Sequence, residues 1–275
     1  MTVGNKIRGY GRLILIAIIS AIFLLIVMVL GLLPVNNTTK YNYGQKTRKI
    51  WSKICLWVLN FKVEVRGSVP KDRNYLFVAN HRSSLDPFIF LAQGTANPVS
   101  RGDVRKYPII GKGAEITGII FVDKESKSSR GATKEAIYQA LKNGKSVMIY
   151  PEGKTGAQPL TSTFQKGSYE QAAELQVPVV PFAVEYKSIH DYWDHTDNML
   201  THYLKNLSKP RTDIRLSIGP PLTDDNSWAL LRQSQQWINE EIVRLREDWG
   251  GLANSDPLND QLTTKHPGEQ GLAEQ

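Results

Sequence analysis

The segment Asn-His-Arg-Ser-Ser-Leu-Asp-Pro at residues 80–87 places a histidine and an aspartate five positions apart. The apolar run before it, residues 75–79, predicts a strand, and the apolar run after it predicts a helix. His81 is therefore expected at the carboxyl end of a strand, where open α/β sheets bind ligands. Imidazole accepts a proton near neutral pH, and a carboxylate on one ring nitrogen leaves the other as the base. His81 with Asp86 could remove the proton of a hydroxyl group that then attacks a second substrate.

A purely structural interpretation of the same residues is also open. Asp86 and Pro87 fit a helix N-cap followed by proline at the first helical position, which requires no catalysis. Short motifs match by chance, so other parts of the chain must decide between the two interpretations.

Composition limits the class of protein. The 275 residues, 41% of them hydrophobic, can form one sizeable domain and an appendage. Lys and Arg outnumber Asp and Glu by 34 to 26, and the net charge of +8 favours nucleic acid or anionic lipid as a partner. No helix-turn-helix, zinc-ligand spacing or stacking-aromatic motif occurs, so we expect no nucleic-acid partner. The single cysteine, Cys55, excludes an internal disulfide, and its apolar neighbours predict a raised thiol pKa rather than a nucleophile.

The amino-terminal region predicts a membrane segment. Residues 13–33 carry no charge, and as a helix they extend about 31 Å, roughly the thickness of a bilayer core. Basic residues flank both ends, and the positive-inside rule favours a catalytic domain on the cytoplasmic face. A second helix is predicted at residues 41–59, with Trp51 and Trp57 on its apolar side and Arg48 on its basic remainder, as in a helix lying in the membrane interface. A helical hairpin entering one leaflet, or an amphipathic helix docked on the core, are the alternatives.

The pattern from residue 61 onward predicts an α/β domain with a mostly parallel central sheet flanked by helices. Strands are predicted at residues 61–65, 75–79, 97–100, 116–122, 146–150, 177–184 and 214–218. Helices are predicted after Asp86 and at residues 131–142, 166–175 and 227–249. The expected organisation is a membrane region at 1–60, a catalytic domain at 61–251 and a disordered tail at 252–275.

Four blocks with unusual residues accompany the predicted strands. The first is 80–87. The second ends in Asp123-Lys124, the third is Tyr-Pro-Glu-Gly-Lys-Thr-Gly at 150–156, and the fourth is Val-Pro-Val-Val-Pro at 177–181. In order and spacing these blocks resemble the glycerolipid acyltransferases, above all the 1-acylglycerol-3-phosphate acyltransferases and their lysophospholipid relatives. The resemblance covers roughly residues 61–222 and includes Arg101 in a segment like the family's Lys-x-Glu-Leu.

The resemblance implies acyl transfer from a thioester, acyl-CoA or acyl-carrier protein, to the free hydroxyl of lysophosphatidic acid. His81 would be the general base and Asp86 its orienting partner. No acyl-enzyme, metal or redox cofactor would be needed, because the acceptor hydroxyl is the nucleophile. Backbone N–H groups near the third block would stabilise the oxyanion.

The expected substrate-binding residues belong to three of these segments. Arg101, Lys124 and Lys154 would contact the acceptor phosphate, and the loop would be completed by Glu152, Gly153 and Thr155, with Glu152 bonded to backbone N–H groups. The family commonly has Arg where this chain has Lys124, and Glu-Gly-Thr-Arg where it has Glu-Gly-Lys-Thr. Lysine supplies charge without the bidentate fork of arginine. Another lyso-lipid, such as a lysophospholipid or lyso-ornithine lipid, is therefore the alternative acceptor, and a non-catalytic membrane-docking protein the alternative class.

Overall fold

The computed structural model describes residues 2–101, 117–122, 127–247 and 249. The helices are α1 (Val3–Leu32), α2 (Asn37–Leu59), α3 (Asp86–Gln93), α4 (Lys127–Lys142), α5 (Gly167–Glu174), α6 (Met199–Ser208) and α7 (Ser227–Glu247). The strands are β1 (Phe61–Arg66), β2 (Leu76–Ala79), β3 (Asn97–Arg101), β4 (Ile120–Val122), β5 (Val147–Ile149), β6 (Val179–Tyr186) and β7 (Thr212–Ile218). The expected disordered tail lies outside the described residues.

The seven strands form one sheet in the order β1-β7-β6-β2-β5-β3-β4. Every neighbouring pair is parallel except β6 and β7, which are antiparallel. The predicted mostly parallel sheet flanked by helices is confirmed. Because β6, β2, β5, β3 and β4 run in the same direction, their carboxyl ends meet at one edge.

The inner strand β2 is buried on both faces, as its continuous apolar run predicts. Phe77 and Ala79 face one core cluster, which also takes residues from α2, α3 and α6. Leu76 and Val78 face the other, with residues from α4, α5 and α7. Helices therefore cover both faces of the sheet and hold the end of β2 in place.

Helices α1 and α2 form an antiparallel hairpin. Trp51 donates its indole N–H to Ser20 Oγ at 3.1 Å, and Lys40 Nζ donates to Gly31 O at 2.9 Å. The start of α2 therefore contacts the end of α1, and later residues of α2 contact earlier residues of α1. Among the described residues, α1 is the one helix long and apolar enough to cross a membrane, and only 6% of its most apolar stretch is buried.

Helix α2 is docked on the sheet domain. Cys55 and Leu59 are buried, whereas Trp57 is 78% exposed. The expectation that Arg48 lies on the polar side of this helix is wrong: Arg48 is buried and donates to Thr117 O at 2.6 Å and to Ala96 O. These carbonyls precede β4 and β3, so the buried guanidinium joins α2 to that part of the sheet.

Helix α6 was not predicted, although Asn198 caps it by accepting from Thr201 N at 2.9 Å. The fourth block lies at the amino end of β6, where Val179 pairs with Leu76 at the start of β2. It is therefore at the opposite end of the sheet from His81, which follows the carboxyl end of β2.

Candidate active site

His81 and Asp86 are in direct contact. His81 follows β2, and its Nδ1 lies 2.8 Å from Asp86 Oδ2. The side chain of His81 keeps 17% of its surface exposed and that of Asp86 only 1%. A carboxylate oxygen accepts hydrogen bonds, so this contact requires the proton on Nδ1 and leaves the lone pair on Nε2. The ring thus has the tautomer that a general base needs.

The carboxylate of Asp86 is fixed by three other donors. Its Oδ2 accepts from Arg82 N at 2.7 Å and from Ser83 N at 2.9 Å, and its Oδ1 accepts from Tyr186 Oη at 2.7 Å. Asp86 is the first residue of α3, and the N-cap position is Leu85, which makes no side-chain cap bond. The aspartate therefore holds the turn and the imidazole instead of capping the helix as an N-cap residue would.

Tyr150 covers one face of the imidazole. The two rings are stacked, with centroids 4.0 Å apart and planes 17° apart. The Tyr150 hydroxyl is buried and has no hydrogen-bond partner among the described residues. Burial, and secondly the charge of Asp86, raise the pKa of Tyr150 well above its usual value. Tyr150 is therefore uncharged, and its stacking limits rotation of the His81 ring.

The backbone on either side of His81 is anchored by two polar side chains. Asn80 is buried, donating to Val184 O and accepting from Val184 N, both at 2.8 Å. Glu152 Oε1 accepts from His81 N at 2.9 Å, and its Oε2 accepts from Ser162 N at 2.8 Å. Both oxygens of Glu152 are thus engaged within the protein, so its position fits a role in holding the loop more directly than one in touching substrate.

The rest of the third block follows β5 and wraps around the same loop. Gly153 has φ of +73°, a left-handed backbone conformation that favours glycine. Gly156 N donates to His81 O at 3.1 Å. Lys154 is exposed, and Thr155 is buried with its Oγ1 2.9 Å from His195 Nε2.

Arg101 ends β3 and pairs with Val122 of β4. Because β3 is parallel to β5 and β5 to β2, the backbone of Arg101 reaches the same sheet edge as His81. Lys124 lies outside the described residues. The structure therefore brings together His81, Asp86, Glu152, Gly153, Lys154 and Thr155, with Arg101 on the same edge.

The segment after β6 adds residues that the sequence analysis did not identify. Trp193 N donates to Arg82 O at 2.8 Å, and the Trp193 ring stacks on His202 with centroids 5.5 Å apart. His202 Nε2 lies 3.0 Å from Ser83 Oγ. Burial lowers the pKa of His202 to about 4, so this imidazole is neutral near pH 7. An apolar spacing of three and four residues after Asn198 was the available signal for α6, which carries His202.

A buried ionic cluster supports the loop that carries His81. Glu185 is completely buried and lies 3.3 Å from Arg82 Nη2 and 3.1 Å from Arg246 Nη2. It also accepts from Tyr192 Oη. Arg82 donates to the carbonyls of Gln158 and Pro159 as well. Glu185 thereby links Arg246 of α7 to Arg82, the residue that follows His81.

Residues 60–185 match the family model described as Acyltransferase. A 1-acyl-sn-glycerol-3-phosphate acyltransferase of Borreliella burgdorferi is 29% identical over 47% of this chain and 53% of its own length. A lyso-ornithine lipid O-acyltransferase of Rhizobium meliloti is 26% identical over 72% of this chain and 74% of its own. The chain thus spans about half the length of the first relative and about three quarters of the second.

The fold has a solved counterpart. The crystal structure of the 1-acyl-sn-glycerophosphate (LPA) acyltransferase PlsC from Thermotoga maritima superposes with a TM-score of 0.70 at 19% identity. The match covers 88% of this chain and 98% of that one. All four blocks lie within residues 60–185, the region that the family model matches. Residues 60–185 thus match an acyltransferase domain, and the chain is similar in sequence to 1-acylglycerol-3-phosphate and lyso-lipid acyltransferases.

Proposed function

We propose that this protein transfers a fatty acyl group from an acyl thioester, acyl-CoA or acyl-carrier protein, to the free hydroxyl of lysophosphatidic acid. The observation that carries the proposal is the 2.8 Å contact between His81 Nδ1 and a carboxylate held by three further donors. Such a pair leaves Nε2 as a fixed proton acceptor at a partly open position.

The reaction needs one nucleophile and one base. Nε2 of His81 takes the proton of the acceptor hydroxyl while its oxygen attacks the thioester carbonyl carbon. The tetrahedral intermediate collapses with cleavage of the carbon–sulfur bond, and the imidazolium returns the proton to the thiolate. Asp86 stabilises the imidazolium between these two steps. This sequence of steps calls for no metal or redox cofactor.

The oxyanion requires donors beside His81. In the third block, Gly153 N donates to Tyr150 O and Gly156 N to His81 O. The N–H groups of Lys154 and Thr155 between them have no acceptor among the described residues. We assign the oxyanion contact to these two amides.

Cations at the carboxyl edge of the sheet would bind the acceptor head group. Arg101, Lys124 and Lys154 are the proposed contacts for the phosphate. A lyso-ornithine lipid is the second candidate acceptor, for two reasons. Lyso-ornithine lipid O-acyltransferases of Rhizobium meliloti and Pseudomonas aeruginosa align with 72% and 70% of this chain. In addition, Thr155 is bonded to His195 and supplies no cation.

The α1–α2 hairpin would bring the site to a bilayer, with the catalytic domain on the cytoplasmic face. A hairpin embedded in one leaflet fits better than a full crossing by α1. Helix α2 runs beside α1 over most of its length and has Arg48 bonded within the sheet domain, so α1 cannot leave the domain surface alone.

The test is an acyl-transfer assay with purified protein and a panel of acceptors that includes lysophosphatidic acid, other lysophospholipids and lyso-ornithine lipid. Each acceptor is combined with acyl-CoA or acyl-carrier protein as donor. Preferred turnover of lysophosphatidic acid supports the proposal, and preferred turnover of lyso-ornithine lipid supports the second candidate. No transfer to any lyso-lipid would overturn both and leave a membrane-docking role.

A further inference from the structure

A groove of about 460 Å³ lies away from His81, where α1 and α2 meet near the end of α6. None of the residues around it belongs to the blocks described above. Its walls are formed by Arg8, Gly11, Arg12, Leu15, Trp57, Val58 and Asn60. One end is therefore cationic and the other apolar.

The cationic end is built by a close helix crossing. A Cβ at Gly9 would lie 2.3 Å from Ser208 Oγ, so glycine allows α1 to approach α6. Arg8 Nη1 then donates to Ser208 O and Arg12 Nη1 to Leu207 O, both at 3.0 Å. These carbonyls belong to the last turn of α6, where backbone acceptors lack helical partners.

The two guanidinium groups have no anionic partner among the described residues. The remaining acceptors of Arg8 and Arg12 are an Asn5 side-chain oxygen and the carbonyls of Lys209 and Pro210. Like charges one helical turn apart repel each other. The end of a helix carries only about half a negative charge, so the pair retains an excess of positive charge that favours an anion.

The apolar end is continuous with the uncharged surface of α1. Trp57 is 78% exposed and Leu15 is 43% exposed. The exposed apolar side chains that follow along α1 include Ile14, Ile18, Ile22 and Leu25. An exposed tryptophan between a cationic and an apolar surface is typical of the head-group level of a bilayer.

We propose that this groove binds one anionic phospholipid of the bilayer, with its phosphate at Arg8 and Arg12 and the start of an acyl chain along Leu15 and Trp57. The site is separate from the acceptor site, and it does not depend on which lyso-lipid is acylated. It differs from general attraction between a basic protein and a charged membrane because it requires the space of the groove.

The test uses the full chain in nonionic detergent micelles, titrated calorimetrically with a short-chain phosphatidylglycerol. Gly11→Leu fills the groove without changing the charge, and a Cβ at Gly11 meets no atom within 4 Å, so folding should be preserved. We expect its affinity to fall by about tenfold or more. Lys6→Gln removes a charge from the same helix outside the groove, and we expect a change below about fivefold. Arg12→Lys keeps the charge but removes the two parallel N–H donors of the guanidinium, and it should weaken binding by about tenfold.

Melting temperatures establish that each variant is folded. Turnover of acceptor dispersed in detergent should be the same for Gly11→Leu and wild type, which separates this site from the catalytic one. The proposal is overturned if Gly11→Leu binds the lipid like wild type, or if Lys6→Gln loses as much affinity as Gly11→Leu. Equal binding of phosphatidylcholine or of inorganic phosphate would also overturn it.

Discussion

The hydroxyl of Tyr186 donates to Asp86 Oδ1 at 2.7 Å, and the other oxygen of the same carboxylate contacts His81. Burial, and secondly the charge of Asp86, raise the pKa of Tyr186 well above its usual value, so this phenol is always a donor. Tyr186 ends β6, whose carboxyl end lies next to that of β2. The orientation of the proposed base is thus determined from the neighbouring strand.

Tyr186→Phe removes this donor and keeps the ring. A hydrogen bond to a charged group contributes about 1.5–3 kcal/mol, so we expect kcat to fall by about tenfold or more. The measurement is steady-state acyl transfer. Tyr169→Phe is the matched control, because its buried hydroxyl contacts Ser234 Oγ at 2.9 Å on the other face of the sheet. Equal kcat values for the two variants would show that Tyr186 does not act through Asp86.

Lys154→Gln tests the acceptor contact. Lys154 is exposed beside the loop that carries His81, and a contact with a remote phosphate contributes mainly uniform binding. We expect the KM for lysophosphatidic acid to rise and kcat/KM to fall by roughly tenfold to a hundredfold. Lys62→Gln, an exposed lysine on β1, serves as the control. An unchanged KM would remove Lys154 from the site and strengthen the case for another head group.

Glu185→Gln tests the ionic cluster behind the loop that carries His81. Removing one member of a buried ion pair leaves uncompensated charge and costs about 3–5 kcal/mol of unfolding free energy. Glu170→Gln, in a partly exposed contact with Lys134, should cost no more than about 1 kcal/mol. Denaturant unfolding of both variants provides the comparison, and similar losses would contradict the supporting role of Glu185.

The buried His202 predicts a pH dependence of stability. Its pKa is near 4 in the folded protein and near 6.5 when unfolded, so the unfolded state binds more protons between these values. The unfolding free energy should therefore fall as the pH decreases from 6.5 to 4, with a slope of up to about 1.4 kcal/mol per pH unit from this residue. His202→Gln should reduce the slope in this window, whereas His190→Gln, at an exposed position, should not. Identical slopes for wild type and His202→Gln would contradict this origin.

Much of the sheet could be predicted from local patterns. The continuous apolar runs of β2 and β5 and the turn after Ala79 predicted those strands, their place inside a mostly parallel sheet and the position of His81. Glu152 was expected to accept from backbone N–H groups, and it accepts from His81 N and Ser162 N. These features depend on residues close together in the chain.

The features that were missed depend on contacts between distant residues. Arg48 looks like a surface cation in an amphipathic helix, and only the carbonyls of Ala96 and Thr117 explain its burial. The residues next to Tyr186 and His202 in the sequence do not indicate that these side chains contact Asp86 and Ser83, which lie a hundred or more residues away. The antiparallel direction of β7 could not be predicted either, because the sequence of a seven-residue strand does not indicate its orientation in the sheet.

Activity of Asp86→Asn, measured beside that of His81→Ala, tests the central claim most directly. An amide in place of Asp86 carries no charge to stabilise the imidazolium, and if its NH₂ faces His81 it favours the tautomer with the proton on Nε2, which cannot act as the base. The same exchange behind a catalytic histidine elsewhere lowers kcat by about 10⁴. We predict a loss of that order for Asp86→Asn, with no measurable transfer by His81→Ala and melting temperatures that show both variants folded. Near wild-type transfer by a folded His81→Ala protein would contradict the assignment of His81 as the base.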